Sequence, residues 1–500
     1  MKQFDWSVIN FAWLPILPLV VVAVGAMGVL LAGVQMDDED SGGLGILSIA
    51  LFVFAAILAL LLFGGRPSVA FSGALSTSGY TGYFELLVLF AAAMTALMSV
   101  EYAAEQGLAG AEYYALVMFA ALGMMLMAAA DDLIVIFLGL ETMSIAIYAL
   151  VGFLRRDPRS NEAALKYFLL GAFSTGFLLY GIALIYGATG SIKLEAIEAA
   201  LSRPATDNAL LLAGVGLLLV GFGFKVAAVP FHMWTPDAYE GAPTPVTAFM
   251  AVGVKIAAFA GFMRIFMVHL GPLGPQWTTV LWVMAALTMT VGNLAALAQT
   301  NIKRMLAYSA IAHAGYILVG MTAVASARAG GAILYYLLGY AFTNLGAFAV
   351  VVALERRGAA HDDIADYRGL ATRHPWLAAA MALFMLSLTG VPPLAGFFGK
   401  FYIFSAALDA HLLWLTIIAV INSVISAYYY LSVLIAMYAR EGGVEPVALR
   451  ARPALVAALV IAAVGTVAIG LFPQAYVTSA ADAFASALGN APHHHVVLSR

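Results

Sequence analysis

The stretch ALLLAGVGLLLVGFGFKVAAV, residues 209–229, decides the fold class of this chain. Its only charged residue is Lys225, and its length matches the roughly 20 apolar residues that a helix needs to cross a bilayer. Pro230 follows directly, and a proline removes a backbone hydrogen-bond donor and breaks a helix. The stretch therefore predicts a membrane-spanning helix that carries a buried lysine just before a break in its backbone.

The composition of the 500-residue chain has the same character as this stretch. Hydrophobic residue types make up 63% of it and charged types 10%, whereas a soluble domain has roughly 45–50% apolar and about 25% charged residues. The net charge of −4 gives no electrostatic reason to bind a phosphate backbone. Without cysteine, the chain cannot hold a thiolate-ligated iron–sulfur cluster. These values exclude a soluble enzyme, a disordered chain and a nucleic-acid-binding protein.

Apolar segments of span length recur along the whole chain, which predicts an all-α integral membrane protein of about fourteen transmembrane helices. The expected spans are residues 11–34, 43–63, 83–100, 112–130, 133–153, 164–187, 209–229, 245–268, 277–299, 305–325, 330–354, 376–404, 412–438 and 453–471. The runs are continuous rather than alternating in ten-residue segments, so a transmembrane β-barrel is not expected.

The distribution of lysine and arginine between the loops predicts the orientation. The loops that follow odd-numbered spans contain twelve basic residues: Arg155, Arg156, Arg159, Lys303, Arg304, Arg356, Arg357, Arg368, Arg373, Arg440, Arg450 and Arg452. The other loops and the two termini contain six: Lys2, Arg66, Lys193, Arg203, Arg328 and Arg500. We therefore expect the first set to be cytoplasmic and both termini to lie outside.

Five ionisable residues lie inside the predicted spans. They are Glu141 in span five, Lys225 in span seven, Lys255 in span eight, His313 in span ten and Lys400 in span twelve. A charge at this depth costs at least ~2.5–3.5 kcal/mol, so five such groups indicate the movement of charge or protons. The alternative is a set of structural ion pairs, with lysines near span ends reaching the interface and the histidine satisfied within the core.

Glu141 and Lys225 suggest a switch. Burial disfavours the charged form of a lysine, and an adjacent carboxylate restores it. If Glu141 lies beside Lys225, the lysine keeps its proton, and if Glu141 moves away, the proton leaves. We predict that this pair controls proton transfer.

Prolines and spacing indicate broken helices and an internal repeat. Pro230 follows Lys225, and the pair Pro392–Pro393 precedes Lys400; broken helices beside ionisable groups are typical of transporter sites, although a plain kink is the alternative. Glu141 and His313 are 172 residues apart, and Lys225 and Lys400 are 175 apart. Spans 4–8 and 9–13 would thus form two five-helix repeats, and an odd number of helices inverts the second copy.

The expected division of the chain follows this repeat. We assign the first three helices to residues 1–110, the first repeat to 111–270, the second to 271–440, and helix 14 with a tail to 441–500. The match is imperfect, because the lysine precedes its proline in the first half and follows it in the second. Lys255 has no charged counterpart in span thirteen, where Asn422 and Ser423 stand.

Three groups of residues give weaker signals. Glu162 and Lys166 share a helix face at the start of span six, and an interfacial ion pair is as consistent with this spacing as an entrance to a proton path. Asp131 and Asp132 are interpreted as a solvated turn rather than an opening. Tyr428–Tyr430 are interpreted as packing residues.

Neither a dinucleotide site nor a metal site is expected. No glycine-rich pattern follows a strand and opens a helix. His493–His495 can bind a metal weakly, but an exposed terminal tail is the favoured interpretation.

The segment FKVAAVPFHMWTPDAYEGAPTPVTAFM, residues 224–250, closely resembles the signature of the antiporter-like membrane subunits of respiratory complex I, the proton-translocating NADH:quinone oxidoreductase. WTPDAYEGAPTPV, residues 234–246, is similar to the subunit N branch in particular. Further matches, in the same order, are LIVIFLGLETMSIAIYAL (133–150), NEAALKYFLLGAFSTG (161–176), NLAALAQTNIKRMLAYSAIAHAGYILVG (293–320) and GVPPLAGFFGKFYIF (390–404). The resemblance covers roughly residues 80–440.

The resemblance implies functions for individual residues. It assigns a proton-transfer relay to Glu141, Lys225, Lys255, His313 and Lys400, with Glu162 and Lys166 as an accessory pair. Lysine rather than glutamate at position 400 agrees with the subunit N branch. This chain would then contribute one proton channel to a translocase without carrying out redox chemistry itself.

The resemblance also implies the surroundings of the chain. FMN, the iron–sulfur clusters and quinone would be bound by other subunits, and this chain would bind no cofactor. Its partners would be other complex I subunits, especially neighbouring antiporter-like and small membrane-arm subunits, together with lipids and no nucleic acid. The location would be a bacterial inner membrane, with both termini on the periplasmic side.

Three alternatives remain at this point. The nearest is a subunit of a multisubunit sodium/proton antiporter, which shares most of these motifs. A structural membrane protein without a transport function predicts that the five buried groups can be replaced together without loss of activity. A free-standing secondary transporter predicts activity when the chain is expressed alone.

Overall fold

A computed structural model describes residues 14–35, 41–63, 68–108, 110–201, 208–356, 361–442 and 452–489. The His493–His495 tail lies outside the described residues. So do six basic residues of the orientation count, Lys2, Arg66, Arg203, Arg357, Arg450 and Arg500. Within the described ranges the chain is an almost wholly helical bundle, and thirteen helical segments are long and apolar enough to cross a membrane.

The helices are α1 (Leu17–Gly33), α2 (Ser41–Phe63), α3 (Gly79–Gln106), α4 (Ala111–Ala129), α5 (Leu133–Val151), α6 (Pro158–Thr189), α7 (Leu194–Leu201), α8 (Asn208–Lys225), α9 (Thr235–Gly241), α10 (Thr244–Phe249), α11 (Lys255–Met263), α12 (Gly274–Leu297), α13 (Ile302–Thr322), α14 (Ala329–Leu354), α15 (Leu370–Arg373), α16 (Pro375–Thr389), α17 (Ala395–Asp409), α18 (Leu413–Ala439), α19 (Pro453–Leu471) and α20 (Pro473–Gly489). Short 3-10 helices occupy Leu14–Ile16, Phe71–Gly73, Gly271–Leu273 and Ile364–Tyr367. Two π-helical segments flank α11. Met250–Val254 joins α10 to α11, and Arg264–His269 continues the same span after α11.

The predicted all-α membrane bundle is confirmed, and the breaks expected at the prolines are present. Thirteen of the expected spans correspond to single helical segments. The expected span 376–404 instead consists of α16 and α17, two 15-residue helices separated by a non-helical stretch that contains a cis Pro392–Pro393 bond. Span seven ends with α8, and a non-helical stretch with a cis Val229–Pro230 bond leads to α9. The inverted repeat and the division of the chain based on it stay predictions.

The bundle has a buried centre and a lipid-accessible periphery. The span that contains α11, together with α13 and α14, is almost completely enclosed by other helices, whereas α1, α2 and α18 bury only about a third of their apolar window. Close helix contact relies on small residues; at Gly123 in α4 and Gly139 in α5, an added Cβ would meet the backbone of the facing helix. Lys255 and His313 therefore lie at the centre of the protein.

Several features at one end of the bundle were missed. An antiparallel hairpin pairs β1 (Ser68–Ala70) with β2 (Leu75–Thr77), and α20 packs against α3 and α14. The interpretation of Asp131 and Asp132 as a solvated turn was wrong. Asp132 caps α5 by accepting from the backbone of Ile134 at 2.8 Å, and Asp131 forms an ion pair with the buried Arg264. A buried arginine needs a carboxylate partner, which explains why this turn is not simply exposed.

Candidate functional site

Four of the five predicted relay residues are deeply buried. Lys225, Lys255, His313 and Lys400 expose only 3–4% of their surface, and Glu141 is half-buried. The structure places Lys225 against α5, the helix that carries Glu141. It brings Lys255, His313 and Lys400 into one neighbourhood, where both ammonium charges act on the imidazole.

The Lys225 site is built by one face of α5. The Lys225 ammonium donates to Ser144 Oγ at 2.8 Å and to Tyr148 Oη at 3.2 Å. Ser144 and Tyr148 follow Glu141 by three and seven residues, so the three side chains share a helix face. The rings of Tyr148 and Tyr167 lie 5.3 and 5.5 Å from the ammonium, within cation–π range.

Glu141 and Lys225 form no contact ion pair, so the structure does not show the closed pair of the switch hypothesis. The carboxylate acts on the lysine charge through space, and Ser144 and Tyr148 occupy the hydrogen-bonding positions instead. Glu141 Oε1 is buried and has no hydrogen-bond partner within the described ranges. Within the described ranges, this oxygen therefore makes no hydrogen bond that would hold the carboxylate in place.

Side chains form hydrogen bonds with backbone groups around the helix break that follows Lys225. The Trp234 indole donates to the Phe224 carbonyl at 3.0 Å, and the Val229 amide donates to Thr288 Oγ1 at 2.9 Å. Ala227 has a φ of 62°, a left-handed conformation that is unfavourable for alanine. Non-helical backbone at membrane depth needs such partners, because lipid provides none.

Lys255 lies at the start of α11, directly after a π-helical segment. Its ammonium donates to the Ala310 carbonyl of α13 and lies 5.2 Å from the centre of the Tyr340 ring. Short π-helical insertions in α-helices frequently occur at functional sites. Since Ala310 precedes His313 by about one turn, this contact places the lysine beside the histidine along α13.

His313 connects two tyrosines on neighbouring helices. Its Nδ1 lies 2.6 Å from Tyr336 Oη on α14, and its Nε2 lies 3.1 Å from Tyr430 Oη on α18. Tyr430 also hydrogen-bonds Ser309, and Tyr429 donates to Asn293 Oδ1 at 2.9 Å. Tyr429 and Tyr430 are buried in the core, as the packing interpretation predicts, and their hydroxyls also join this network, whereas Tyr428 is exposed and the interpretation was wrong for it.

Lys400 is held by the end of the broken helix that precedes it. Its ammonium donates to the carbonyls of Leu388 at 3.1 Å and Thr389 at 2.8 Å, and to Ser423 Oγ at 2.9 Å. The two carbonyls belong to the last turn of α16, whose C-terminal end carries partial negative charge. The proline break thus provides ligands for the lysine.

Glu162 and Lys166 form the predicted ion pair, with 2.7 Å between their charged atoms. The pair belongs to a larger exposed network, because Lys166 also contacts Asp237 at 2.7 Å and Arg304 contacts both Asp237 and Glu240 at 2.7 Å. Burial would raise the pKa of Asp237, but the hydrogen bonds from Lys166 and Arg304 outweigh it and lower that pKa. We refer to the side of the bundle that bears Arg159, Arg304 and Arg368 as the arginine-rich end.

The site can exchange protons but offers no ready metal centre. Its ammonium and imidazole groups lie within hydrogen-bond distance of hydroxyl groups, which is the geometry that general acid–base groups need. In the part of the chain that the structure describes, no group of three or more His, Cys, Asp or Glu residues could hold a metal ion.

Comparison with known proteins identifies the family. Residues 130–426 match the family described as NADH:quinone oxidoreductase/Mrp antiporter, transmembrane region. The NADH-quinone oxidoreductase subunit N of Trichlorobacter lovleyi is 47% identical over 460 residues, which are 92% of this chain and 94% of that protein.

Solved structures extend the comparison. A chain of respiratory complex I from Thermus thermophilus, with bound aureothin, is 38% identical and has a TM-score of 0.77; the match covers 93% of this chain and 99% of that chain. A chain of the Mrp complex from Dietzia sp. DQ12-45-1b has a TM-score of 0.82 at 22% identity, with 95% and 98% covered. The second likeness shows a shared fold and nothing more.

Proposed function

Because this chain belongs to the NADH:quinone oxidoreductase/Mrp antiporter membrane family, and within it to the subunit N branch, we propose that it conducts protons through Lys225, Lys255, His313 and Lys400. It is an antiporter-like membrane-arm subunit of complex I and carries out no redox chemistry itself. Electron transfer from NADH to quinone occurs in other subunits and provides the energy for translocation.

The absence of structural ion pairs at the buried lysines carries this proposal. In the described ranges, no carboxylate lies within salt-bridge distance of Lys225, Lys255 or Lys400. A purely structural lysine at this depth would be neutralised by a carboxylate, because an unpaired buried charge is costly. Lysines held by hydroxyls and carbonyls can instead lose and regain their protons with a small change in surroundings.

Glu141 controls the first transfer. Events in the redox subunits change the electrostatics around α5, and Glu141 moves toward or away from the Lys225 ammonium. When the carboxylate retreats, the lysine charge is no longer supported and its proton leaves. The proton passes by way of Lys255 and His313 to Lys400 through water between the helices.

The surroundings of the chain follow from the same family membership. The arginine-rich end faces the cytoplasm of a bacterium and both termini face the periplasm, as the excess of arginine indicates. The partners are other complex I subunits, in particular neighbouring antiporter-like and small membrane-arm subunits, and lipids. This chain binds neither FMN, an iron–sulfur cluster nor quinone.

The function as a sodium/proton antiporter subunit is less well supported. The fold of the Mrp chain is as similar as that of the complex I chain, so the fold alone does not separate the two activities. The sequence does separate them, because identity is 38% to the complex I chain and 22% to the Mrp chain.

Replacement of Lys225 by alanine tests the proposal. In membranes that contain the assembled complex, we expect Lys225→Ala to abolish NADH-driven proton pumping, because the relay loses its first basic group. Electron transfer and pumping are measured together, with Arg156→Ala on an exposed loop as the control. Normal values for both activities would remove Lys225 from the mechanism.

A further inference from the structure

A cleft at the arginine-rich end contains a carboxyl group that the relay does not use. The cleft has a volume of about 530 Å³ and is lined by Arg159, Glu240, Arg304 and Asp362 among others. Asp362 is only 8% exposed, and its Oδ1 has no hydrogen-bond partner among the residues that the structure describes. Its position is fixed, because the Ile302 amide at the start of α13 donates to the Asp362 carbonyl at 2.6 Å.

Two further buried ionisable groups lie behind Asp362. Lys303, 3% exposed, donates to the Ala242 carbonyl at 2.8 Å. Glu355, 6% exposed, accepts from Tyr102 Oη at 2.7 Å and from Thr244 Oγ1. Their charges have opposite effects on the pKa of Asp362, which Lys303 lowers and Glu355 raises, and neither forms a salt bridge within the described ranges.

Helix α14 carries an unpaired amide between this cluster and the central lysine. Asn344 is completely buried, and both its Oδ1 and its Nδ2 lack a hydrogen-bond partner in the described part of the chain. It stands one turn from Tyr340 and acts on that hydroxyl, but the two groups do not meet the geometry of an ordinary hydrogen bond. The Tyr340 ring in turn lies 5.2 Å from the Lys255 ammonium.

The spacing along α14 defines a route. Glu355 follows the last residue of α14 and stands eleven residues after Asn344, which corresponds to a rise of about 16 Å. The helix packs along this length against α10 and the Met250–Val254 segment, which lead to Lys255. A buried amide without partners costs about 1–3 kcal/mol, and ordered water is the usual way in which proteins satisfy such groups.

We propose that α14 lines a second, hydrated proton-uptake branch, which leads from Asp362 at the arginine-rich end past Glu355 and Asn344 to Lys255. In this branch Asp362 takes up protons from the cleft, and Asn344 holds the water that carries them to the centre. The branch rests on the proposed function, and it bypasses Lys225. Lys225 and Glu141 still gate the whole relay, so loss of Lys225 stops pumping even though the branch supplies protons to Lys255.

The environment of Asp362 suits proton uptake. Burial raises the pKa of Asp362 to about 6; Lys303 opposes this shift, Glu355 and Glu240 add to it, and Arg159 opposes it. A carboxyl group that gains and loses its proton near the operating pH is an efficient donor and acceptor. At a pH below this pKa Asp362 is mostly protonated, and at a higher pH it is increasingly deprotonated.

Replacement of Asn344 by leucine tests the water-holding step. The two side chains are similar in size, so Asn344→Leu makes the route apolar without leaving a large cavity, and it relieves the unpaired amide. We expect an assembled complex with unchanged or higher thermal stability and several-fold slower NADH-driven pumping, with activity restored in Asn344→Ser. Unchanged pumping in Asn344→Leu would contradict the branch.

The entrance is tested with a pair of adjacent carboxyl groups. We expect Asp362→Asn to slow pumping about ten-fold and to remove its dependence on cytoplasmic-side pH near 6, whereas Asp362→Glu keeps both. Asp363→Asn is the matched control, because Asp363 is exposed and asparagine also caps the short helix that follows it. Equal behaviour of the two asparagine variants would overturn the role of Asp362.

If the Asp362→Asn complex does not assemble, a measurement on the unaltered complex still tests the function of Asp362. A hydrophobic carbodiimide modifies protonated, buried carboxyl groups. Mass spectrometry should find Asp362 modified near pH 6 and much less at about pH 8, while Asp363 stays unmodified. An Asp362 that is unmodified at every pH would contradict its function as the uptake group.

Lys225→Ala, assayed in parallel, separates this inference from the proposed function. If Lys225→Ala abolishes pumping while Asn344→Leu and Asp362→Asn do not reduce it, the uptake branch is wrong and proton conduction by this chain stands. If Lys225→Ala also leaves pumping normal, the proposed function itself fails.

Discussion

Lys225 and Lys400 each lie beside a proline break in a membrane span, yet their surroundings differ in kind. Lys225 donates to two side-chain hydroxyls, Ser144 and Tyr148, both on the helix that carries Glu141. Lys400 donates to two backbone carbonyls at the end of α16 and to the hydroxyl of Ser423. The first site is made of side chains that can rotate, and the second mainly of backbone that cannot.

In the proposed relay, this difference suits Lys225 to be the gate and Lys400 to be a fixed acceptor. The last carbonyls of a helix carry partial negative charge and stabilise a nearby cation by about 0.3–1 kcal/mol, and by up to ~2 kcal/mol when partly buried. This support for Lys400 persists as long as the last turn of α16 stays helical. The negative group near Lys225 is the half-buried Glu141, which acts through space and has no tight contact at Oε1. Electrostatic control is therefore possible at Lys225, whereas Lys400 requires movement of a helix end.

Among substitutions of the residues that surround the two lysines, the largest effect should come from disturbing the helix end that holds Lys400. Gly390 ends α16 with a φ of 96°, and an added Cβ would lie 3.2 Å from the Lys400 side chain. We expect Gly390→Ala to lower the free energy of unfolding by roughly 1–3 kcal/mol and to impair pumping strongly, because non-glycine residues are strained at this φ. Thermal unfolding and NADH-driven pumping of the assembled complex measure both.

Gly216→Ala is the control for this prediction. Gly216 lies within α8, where an added Cβ meets no atom within 4 Å, so alanine should be neutral or stabilise the helix by about 0.5–1 kcal/mol. If Gly390→Ala and Gly216→Ala have equal effects, the end of α16 does not hold Lys400 in a functional position.

A smaller effect is expected from removing the serine hydroxyl that contacts each lysine. Ser144→Ala leaves Lys225 with one acceptor, Tyr148, whereas Ser423→Ala leaves Lys400 with two carbonyls. A hydrogen bond to a charged group contributes about 1.5–3 kcal/mol, and the remaining acceptors compensate better at Lys400. We expect Ser144→Ala to slow pumping several-fold and Ser423→Ala to change it by less than about two-fold. The opposite order in the same pumping assay would show that Lys225 is the rigid site.

The sequence was sufficient to predict the ionisable residues but not their contacts. Glu141, Lys225, Lys255, His313 and Lys400 stand out because each interrupts an apolar run that is long enough to span a bilayer. Serine and tyrosine are common in membrane helices, so the sequence does not reveal which of them face a lysine. The hydroxyls that hold the Lys225 ammonium on α5 were not predicted for this reason, and the Glu141–Lys225 switch stays a prediction.

The polar groups of the proposed uptake branch are less conspicuous in the sequence than the buried lysines. Asn344 interrupts an apolar run much as Lys255 does, but an uncharged amide attracts less notice than a lysine. Asp362 and Glu355 stand near a span end, where carboxylates are ordinarily solvated, and only the tertiary packing shows that they are buried. The partnership of Asp131 with Arg264 joins residues 133 positions apart and could not be predicted from local pattern.

Proton pumping by the Lys225→Arg complex most directly tests whether these buried groups transfer protons rather than support the fold. Arginine keeps the charge and the hydrogen-bonding capacity of lysine, but it does not release its proton in proteins. Proton transfer through Lys225 predicts an assembled complex in which NADH-driven pumping is lost. An assembled Lys225→Arg complex that pumps at the normal rate would contradict it.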